Sequence, residues 1–346
     1  MNLINEEEAE DNDLFEHYKF KADKGQELLR IDKFLMDRIP NTTRNKLQNA
    51  LTEGHILVNK KPVKANYRVK PLDDITVELP YPPQEIELIP EDIPLNILYE
   101  DDDVIVLNKD AGLVVHPGFG NHTGTLVNGL IYHFKNLPET SMANRPGLVH
   151  RLDKNTTGVM VIAKTEHALS HLGKQFFDRT IERRYQALVW GDFEEEDGTV
   201  VGNVGRSLQN RKVMSVFPEE EFGKHAITHY KVLKRFGYVT LIECKLETGR
   251  THQIRVHMQH IKHPLFNDED YGGDRILKGT SFTKYKQFIN NCFEILPRQA
   301  LHAKSLGFEH PATGKWLHFE TDLPEDMTKL LEKWDGYISN RNTFED

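Results

Sequence analysis

Cysteine is nearly absent from this chain of 346 residues: there are two, Cys244 and Cys292, and they share no motif. That excludes a disulfide framework, argues against a zinc site and fits a reducing compartment. Long apolar runs are lacking too, and none reaches the roughly 20 residues that a membrane-spanning helix needs. The N-terminus carries Glu6, Glu7, Glu8, Glu10, Asp11 and Asp13 in place of the basic and apolar segments of a leader or transit peptide. A cytoplasmic protein with no membrane partner is expected. The 17 histidines are scattered and read as surface or ordinary polar residues. The glycine-rich stretch Gly118–Gly124 lacks the Gly-Lys-Ser/Thr ending and the strand–loop–helix setting of a phosphate cradle. Net positive charge is missing as well. The formal charge is −9 at pH 7, which as an average speaks against nucleic acid.

The average hides an uneven distribution. Residues 1–18 read as a flexible acidic tail, and a compact unit is expected over 19–80. There Ile31, Phe34 and Leu35 share one helix face, and Pro40 ends that helix. Asn41, Thr42 and Thr43 offer N-caps for a second helix with an apolar stripe at Leu47, Ala50 and Leu51, closed by Gly54. Ile56–Asn59 and Ile75–Leu79 read as strands. Between Arg30 and Lys70 stand Arg30, Lys33, Arg38, Arg44, Lys46, Lys60, Lys61, Lys64, Arg68 and Lys70, opposed by Asp32, Asp37 and Glu53. That excess suits phosphate, although charge alone suits an ordinary basic face equally well. Pro80, Pro82 and Pro83 stiffen a linker over 81–93, and a large domain follows over 94–340.

The densest polar chemistry lies in His150-Arg151-Leu152-Asp153-Lys154-Asn155-Thr156-Thr157-Gly158. Pro146-Gly147 marks a turn before it, and Val159–Ala163 reads as a buried strand after it. A charged loop is thus delivered to the end of a strand, a common seat for chemistry. A turn with a solvated ion pair gives the same pattern. A kinase loop is excluded, because Leu152 separates Arg from Asp and no Asp-Phe-Gly follows. A glycosidase's second positioned carboxylate has no matching signature. Downstream, Thr165 caps a helix with Ala168, Leu172 and Phe176 on one face. Arg183–Gly191 reads as a strand, in which Tyr185 is by itself a core aromatic. Residues 192–224 are weakly patterned, and Arg206, Arg211 and Lys212 there read equally as phosphate contacts or scattered surface charge. Tyr238–Leu246 alternates as a strand does. A helix from Thr251 turns Ile254, Met258 and Ile261 inward, with Arg255 on an adjoining face. A hairpin over Leu306–Phe319 and an amphipathic helix after Pro324 complete the domain.

The nonapeptide resembles the catalytic motif of the RluA/RluD family of RNA pseudouridine synthases, with Asn155 where that pattern often has Asp. Asn108-Lys109-Asp110-Ala111-Gly112 is similar to the family's Asn-Lys-Pro-x-Gly segment, with Asp110 in place of Pro. Gly249-Arg250-Thr251-His252-Gln253-Ile254-Arg255-Val256-His257 resembles its second signature, and Tyr185 lies at the family's spacing from the first. The element order over residues 28–79 resembles the αL-type RNA-binding module named after a small-subunit ribosomal protein. The resemblance implies an α+β protein. A catalytic domain on a mixed, largely antiparallel β-sheet flanked by helices and loops would follow a small N-terminal RNA-binding module. It implies a cofactor-free, metal-free isomerase that converts uridine to pseudouridine in structured RNA, most like the large-subunit ribosomal (RluD) branch. Asp153 is implied as the catalytic carboxylate, Arg255 as its partner and Tyr185 as the residue that stacks on the target base. Arg151, His150, Arg250 and Gln253 are implied substrate contacts at the site, and Arg44, Lys46, Lys60 and Lys61 on the module. RNA is the expected partner, in pre-ribosomal particles, and the protein is expected to be a monomer. The alternative is an RNA-binding ribosome-assembly factor with a vestigial site.

Overall fold

Apolar spacing and turn residues divide this chain into two units, residues 1–85 and 86–346. The computed structural model describes residues 15–36, 38–39, 42, 44–79, 88–118, 121–134, 137–138, 146–210, 213–218 and 222–342. In the first unit, strand β1 (Phe15–Lys21) is followed by β2 (Leu29–Arg30), α1 (Ile31–Met36), α2 (Arg44–Thr52), β3 (Ile56–Val58), β4 (Lys61–Pro62), β5 (Arg68–Val69) and β6 (Asp74–Leu79). Ile31, Phe34 and Leu35 are buried, as their spacing demands. They pack with Leu47, Ile56 and Ile75 in one core. Strand β1 corrects the expected tail: residues 15–18 belong to the sheet, where β1 pairs antiparallel with β6. Gly54 has φ +81, the left-handed value expected after a helix end. Asn59 and Lys60 also have positive φ, 51° and 65°, so a two-residue turn joins β3 to β4. Pro40, Asn41, Thr43 and the Pro80–Pro83 connector lie outside the described residues.

The second unit is built on one sheet in the order β12-β11-β13-β14-β10-β15-β9-β8-β7, with β16 paired to β15. Its strands are β7 (Ile97–Glu100), β8 (Val104–Lys109), β9 (Thr157–Ala163), β10 (Glu182–Trp190), β11 (Asp197–Arg206), β12 (Met214–Phe217), β13 (Lys224–Arg235), β14 (Val239–Leu246), β15 (Leu301–Glu309) and β16 (Trp316–Glu320). Its helices are α3 (Leu126–His133), α4 (Glu166–Asp178), α5 (Gln253–His260), α6 (Thr283–Ile295) and α7 (Glu325–Asn342). Pairing is antiparallel except where β15 runs parallel to β9, at His302↔Thr157 and Ala303↔Gly158. This is the expected α+β architecture. Strands β8 and β9 are covered on both faces, which explains their unbroken apolar runs. Leu107 and Met160 enter one core cluster, while Val106 and Val161 enter another on the opposite face with α4. Thr165 caps α4 as expected, its hydroxyl accepting the Ala168 amide at 3.1 Å. Helix α5 starts two residues later than the sequence suggests. It is buried on more than one face, since Val256 and His257 are enclosed along with Ile254 and Met258. The weakly patterned region 192–224 holds β11, β12 and the start of β13, while Arg211 and Lys212 lie outside the described residues.

Candidate active site

The nonapeptide becomes a loop whose backbone is gripped from three sides. The Asp153 carbonyl accepts the Thr156 amide at 3.1 Å, which closes a turn. At the end of β8, the ammonium of Lys109 donates to the carbonyls of Asp110, Leu113 and Lys154 at 2.7, 2.9 and 3.0 Å. Arg298, just before β15, donates to the Asn155 carbonyl at 3.0 Å and clamps Asp326 with two bonds of 2.7 and 2.8 Å. Thr157 is hydrogen-bonded to His302 at 2.8 Å. Gly158 must be glycine. Its φ is +118, and a Cβ there would overlap the Ala303 carbonyl of the parallel neighbour β15. Burial pushes Lys109 down to about 7, against the attraction of Asp153. Its three carbonyl acceptors nevertheless call for three protons, which only the ammonium form supplies.

Asp153 reaches a cavity of roughly 330 Å³, which Tyr185, Arg183, Arg250, His252 and Arg255 also line. Its side chain is 17% exposed, and its Oδ2 lies 3.4 Å from Arg255 Nη1. Arg255 is itself buried and belongs first to two other acids. Its Nε and Nη2 bond Asp268 at 2.8 and 2.7 Å, and Nη2 bonds Asp270 at 2.7 Å. The expected Asp153–Arg255 pair is therefore present, as the long arm of a three-carboxylate cluster. Burial opposes the charge of Arg255, but the hydrogen-bonded Asp268 carboxylate, with Asp153 and Asp270, raises its pKa above the ordinary arginine value. The other oxygen of Asp153 lies 3.8 Å from His252 Nε2. His252 Nδ1 meets the Tyr271 hydroxyl at 3.0 Å, and that hydroxyl accepts the Met214 amide. Tyr185 is 8% exposed, part of the core cluster and part of the cavity wall at once. Burial raises its hydroxyl, Arg183 draws it back and Asp153 adds to the rise, so it is a neutral phenol.

Several candidate contacts have other partners. Gln253 is buried, and its oxygen accepts from Thr248 and the Arg250 amide while its nitrogen donates to Ile227 and Thr228. All its hydrogen-bonding capacity is directed inward, so it shapes the loop and does not reach RNA. His150 accepts the Val161 amide at 3.1 Å and stacks on Phe176, and burial beside Arg183 holds it down at about 3. It ties the loop to β9 as a neutral ring. Arg151 is exposed beside the cavity, and Arg250 donates to the His225 carbonyl at 3.1 Å. On the module, Arg44 is half exposed and paired with Asp32, while Lys60 and Lys61 are exposed at the β3–β4 turn. Lys46 lies on α2, with its side chain outside the described residues. Three of the histidines, His257, His302 and His310, are buried. Asp268, Asp270, Lys109, Arg183 and Arg298 were not evident as site residues. The segment Asn108-Lys109-Asp110-Ala111-Gly112 was a signal for Lys109, whereas Asp268-Glu269-Asp270 looks like a solvated acidic turn.

This combination of an S4-like module with a carboxylate–arginine cavity on a mixed sheet has close parallels. A family model described as RNA pseudouridylate synthase matches residues 103–260, and an S4 domain model matches residues 29–75. An RNA pseudouridine synthase of Chlorobaculum parvum is 51% identical over 315 residues, covering 90% of this chain and 95% of that protein. The ribosomal large subunit pseudouridine synthase D of Neisseria meningitidis serogroup B is 41% identical over 323 residues, covering 92% and 83%. The structure of human RNA pseudouridylate synthase domain containing 4 aligns with TM-score 0.51 and 26% identity over 69% of this chain and 93% of that one. The protein is an RNA-modifying isomerase with an appended RNA-binding domain. More particularly, it belongs to the RluA family of RNA pseudouridine synthases.

Proposed function

We propose that this enzyme isomerises uridines of large-subunit ribosomal RNA in the cytoplasm, acting as a monomer on pre-ribosomal particles. In the reaction the N1–C1′ bond of uridine breaks, the base turns, and a C5–C1′ bond forms. The C5 proton leaves and N1 gains one, so no redox step occurs and no atom of the uridine skeleton is lost. The observation that carries the site assignment is the 3.4 Å approach of Arg255 to Asp153 inside the cavity. An ionised carboxylate at the sugar–base junction serves attack at C1′, attack on the base, or proton abstraction toward a glycal. Arg255 favours that anion, and Asp268 and Asp270 hold Arg255 in place. Tyr185 stacks on the flipped base, which offsets part of the few kcal/mol that flipping costs. Arg151 occupies the space that the base vacates. The large-subunit target and the cytoplasmic setting draw support from the synthase D relatives and from the S4 domain. Incubation with transcripts carrying tritium at uridine C5 should release label. Ribosomal RNA from cells lacking the protein should lose defined carbodiimide-reactive sites. RNA binding without tritium release would instead support a vestigial assembly factor.

A further inference from the structure

The most buried unpaired cation of this cavity is Arg183, which has no counter-ion among the described residues. Arg183 on β10 is 8% exposed, yet among the described residues no hydrogen bond or ion pair satisfies it. Its Nε is a buried donor without a protein partner. Burying an unpaired guanidinium is costly, and proteins rarely retain one without a use. The neighbours of Arg183 define its position but do not neutralise it. Its guanidinium carbon stands 5.3 Å from the centre of the Phe176 ring. His150 stacks on the same Phe176 ring and stays neutral. Gly249 also adjoins it, since a Cβ there would come 2.7 Å from Arg183 Nη1. The guanidinium therefore keeps its place because residue 249 has no side chain.

The rest of the cavity supplies the direction. Arg183 and Tyr185 are two residues apart on one strand, and both line the same cavity as Asp153. At the Asp153 end, Asp153, Asp268 and Asp270 surround the single guanidinium of Arg255. In the same cavity, Arg183 and Arg250 stand without an acid bonded to either among the described residues. A nucleotide entering this cavity with its sugar–base junction at Asp153 finds its phosphate drawn to the arginines that no carboxylate neutralises. We propose that Arg183 is the receptor for the backbone phosphate on the 5′ side of the target uridine. A planar guanidinium with open donors matches phosphate oxygens in pairs, which lysine does not. Arg183 is thus a substrate-binding residue that fixes where C1′ lies relative to Asp153.

This inference rests on the assignment of the cavity to the target uridine, and two measurements separate the two ideas. The first uses a synthetic stem-loop RNA in which the wild-type enzyme forms pseudouridine. Arg183→Met should lower kcat/KM by about ten- to a hundredfold, the range of a charge-assisted hydrogen bond, with Arg183→Lys in between. A methylphosphonate on the 5′ side of that uridine should impair the wild type equally and add nothing to the loss in Arg183→Met. Gly249→Ala, which displaces the guanidinium, should mimic Arg183→Met. Additive losses, or a loss confined to the 3′ methylphosphonate, would overturn the proposal. A variant that melts well below the wild type with unchanged kcat/KM would assign Arg183 to the fold alone and overturn it too. The second measurement titrates uridine 5′-monophosphate into arginine-labelled enzyme and follows the Arg183 Nε–H resonance. A saturable shift of the resonance that Arg183→Met removes supports the proposal even if no RNA is modified, whereas an unmoved resonance rejects it. Failure of the wild type to modify any RNA counts against the uridine-site reading and leaves the resonance to decide on Arg183.

Discussion

Asp153 faces one donor at each oxygen, Arg255 Nη1 at 3.4 Å and His252 Nε2 at 3.8 Å. Both distances exceed a good hydrogen bond, so the carboxylate is attended but not locked, as suits a group that must meet a substrate atom. Asp153→Asn keeps the shape and removes the anion. The variant should fold, bind RNA at least as tightly as the wild type and form no measurable pseudouridine in a single turnover. Activity within tenfold of wild type, only about 1.4 kcal/mol of barrier, would show that another group does the chemistry. Tyr185 tests a different division. Its hydroxyl pKa is raised by burial, so it enters the reaction as a neutral ring. If stacking is its work, Tyr185→Ala should depress RNA binding and turnover far more than Tyr185→Phe. Equal losses of turnover would point to the hydroxyl as a proton carrier. The nonapeptide made Asp153 legible, and the spacing of the second signature made Arg255 legible. Asp268 was not, because its role depends on the turn after α5 folding back on that helix. Local sequence shows only three adjacent acids or near-acids in a turn.

Loops and helices reach the site through bonds that cross from one element to another. Asp268 is fully buried and holds two nitrogens of Arg255, so it sets the direction from which the guanidinium meets Asp153. Asp268→Asn should leave the protein folded but less stable, by roughly 1–3 kcal/mol for a weakened buried charge-assisted bond. It should lower kcat more than it raises KM, because RNA contacts are untouched, and a pure KM effect would contradict this role. Lys109 does the same for the nonapeptide. Lys109→Met strips donors from three carbonyls and should lose more than about 2 kcal/mol in chemical denaturation, with turnover falling alongside. At the parallel junction of β15 and β9, His302 bonds Thr157 and Thr321, and burial lowers its pKa to about 4. An unfolded histidine titrates near 6.5, so between pH 6.5 and 4 the unfolded chain binds the additional proton. Stability from this residue is full above that window and falls as pH drops through it, by up to about 1.4 kcal/mol per pH unit. His302→Gln should flatten the acid limb of a stability-versus-pH curve, and an unchanged limb would place the charge elsewhere. Strands β8 and β9 were legible because both faces are apolar. Strand β11 was not, because residue type does not follow burial there: Val200 is buried, whereas the equally apolar Val201 beside it is exposed.

The whole molecule joins an acidic chain to a polyanionic substrate, and the first unit explains how the two can meet. The net charge is −9, yet the S4 unit gathers ten basic residues between Arg30 and Lys70. Not all of these are free. Asp32 is fully buried and pairs with both Arg30 and Arg44, so two of the guanidinium groups already have an anion. Arg44 braces α2 against α1, and Arg30 ties β2 to α1, before either meets any phosphate, a distinction that charge counting cannot make. Lys60 and Lys61 differ. The β3–β4 turn, with Asn59 and Lys60 at positive φ, projects them into solvent, and no ion pair holds them among the described residues. Removing residues 1–85 should therefore weaken RNA binding, raise KM and reduce its salt dependence, while the core of the second unit stays intact. Exchanging Lys60 and Lys61 together for glutamine is the finer test. For two single-strand phosphate contacts, the slope of log affinity against log salt should become shallower by about 1.4. Arg44→Gln should change that slope less and the melting temperature more, because it takes one of two guanidinium partners from the buried Asp32. Filter binding of a large-subunit transcript across a salt series measures all three proteins. If the double lysine variant keeps the wild-type slope while the truncation loses it, the module binds through another face, and the β3–β4 turn has no part in RNA recognition.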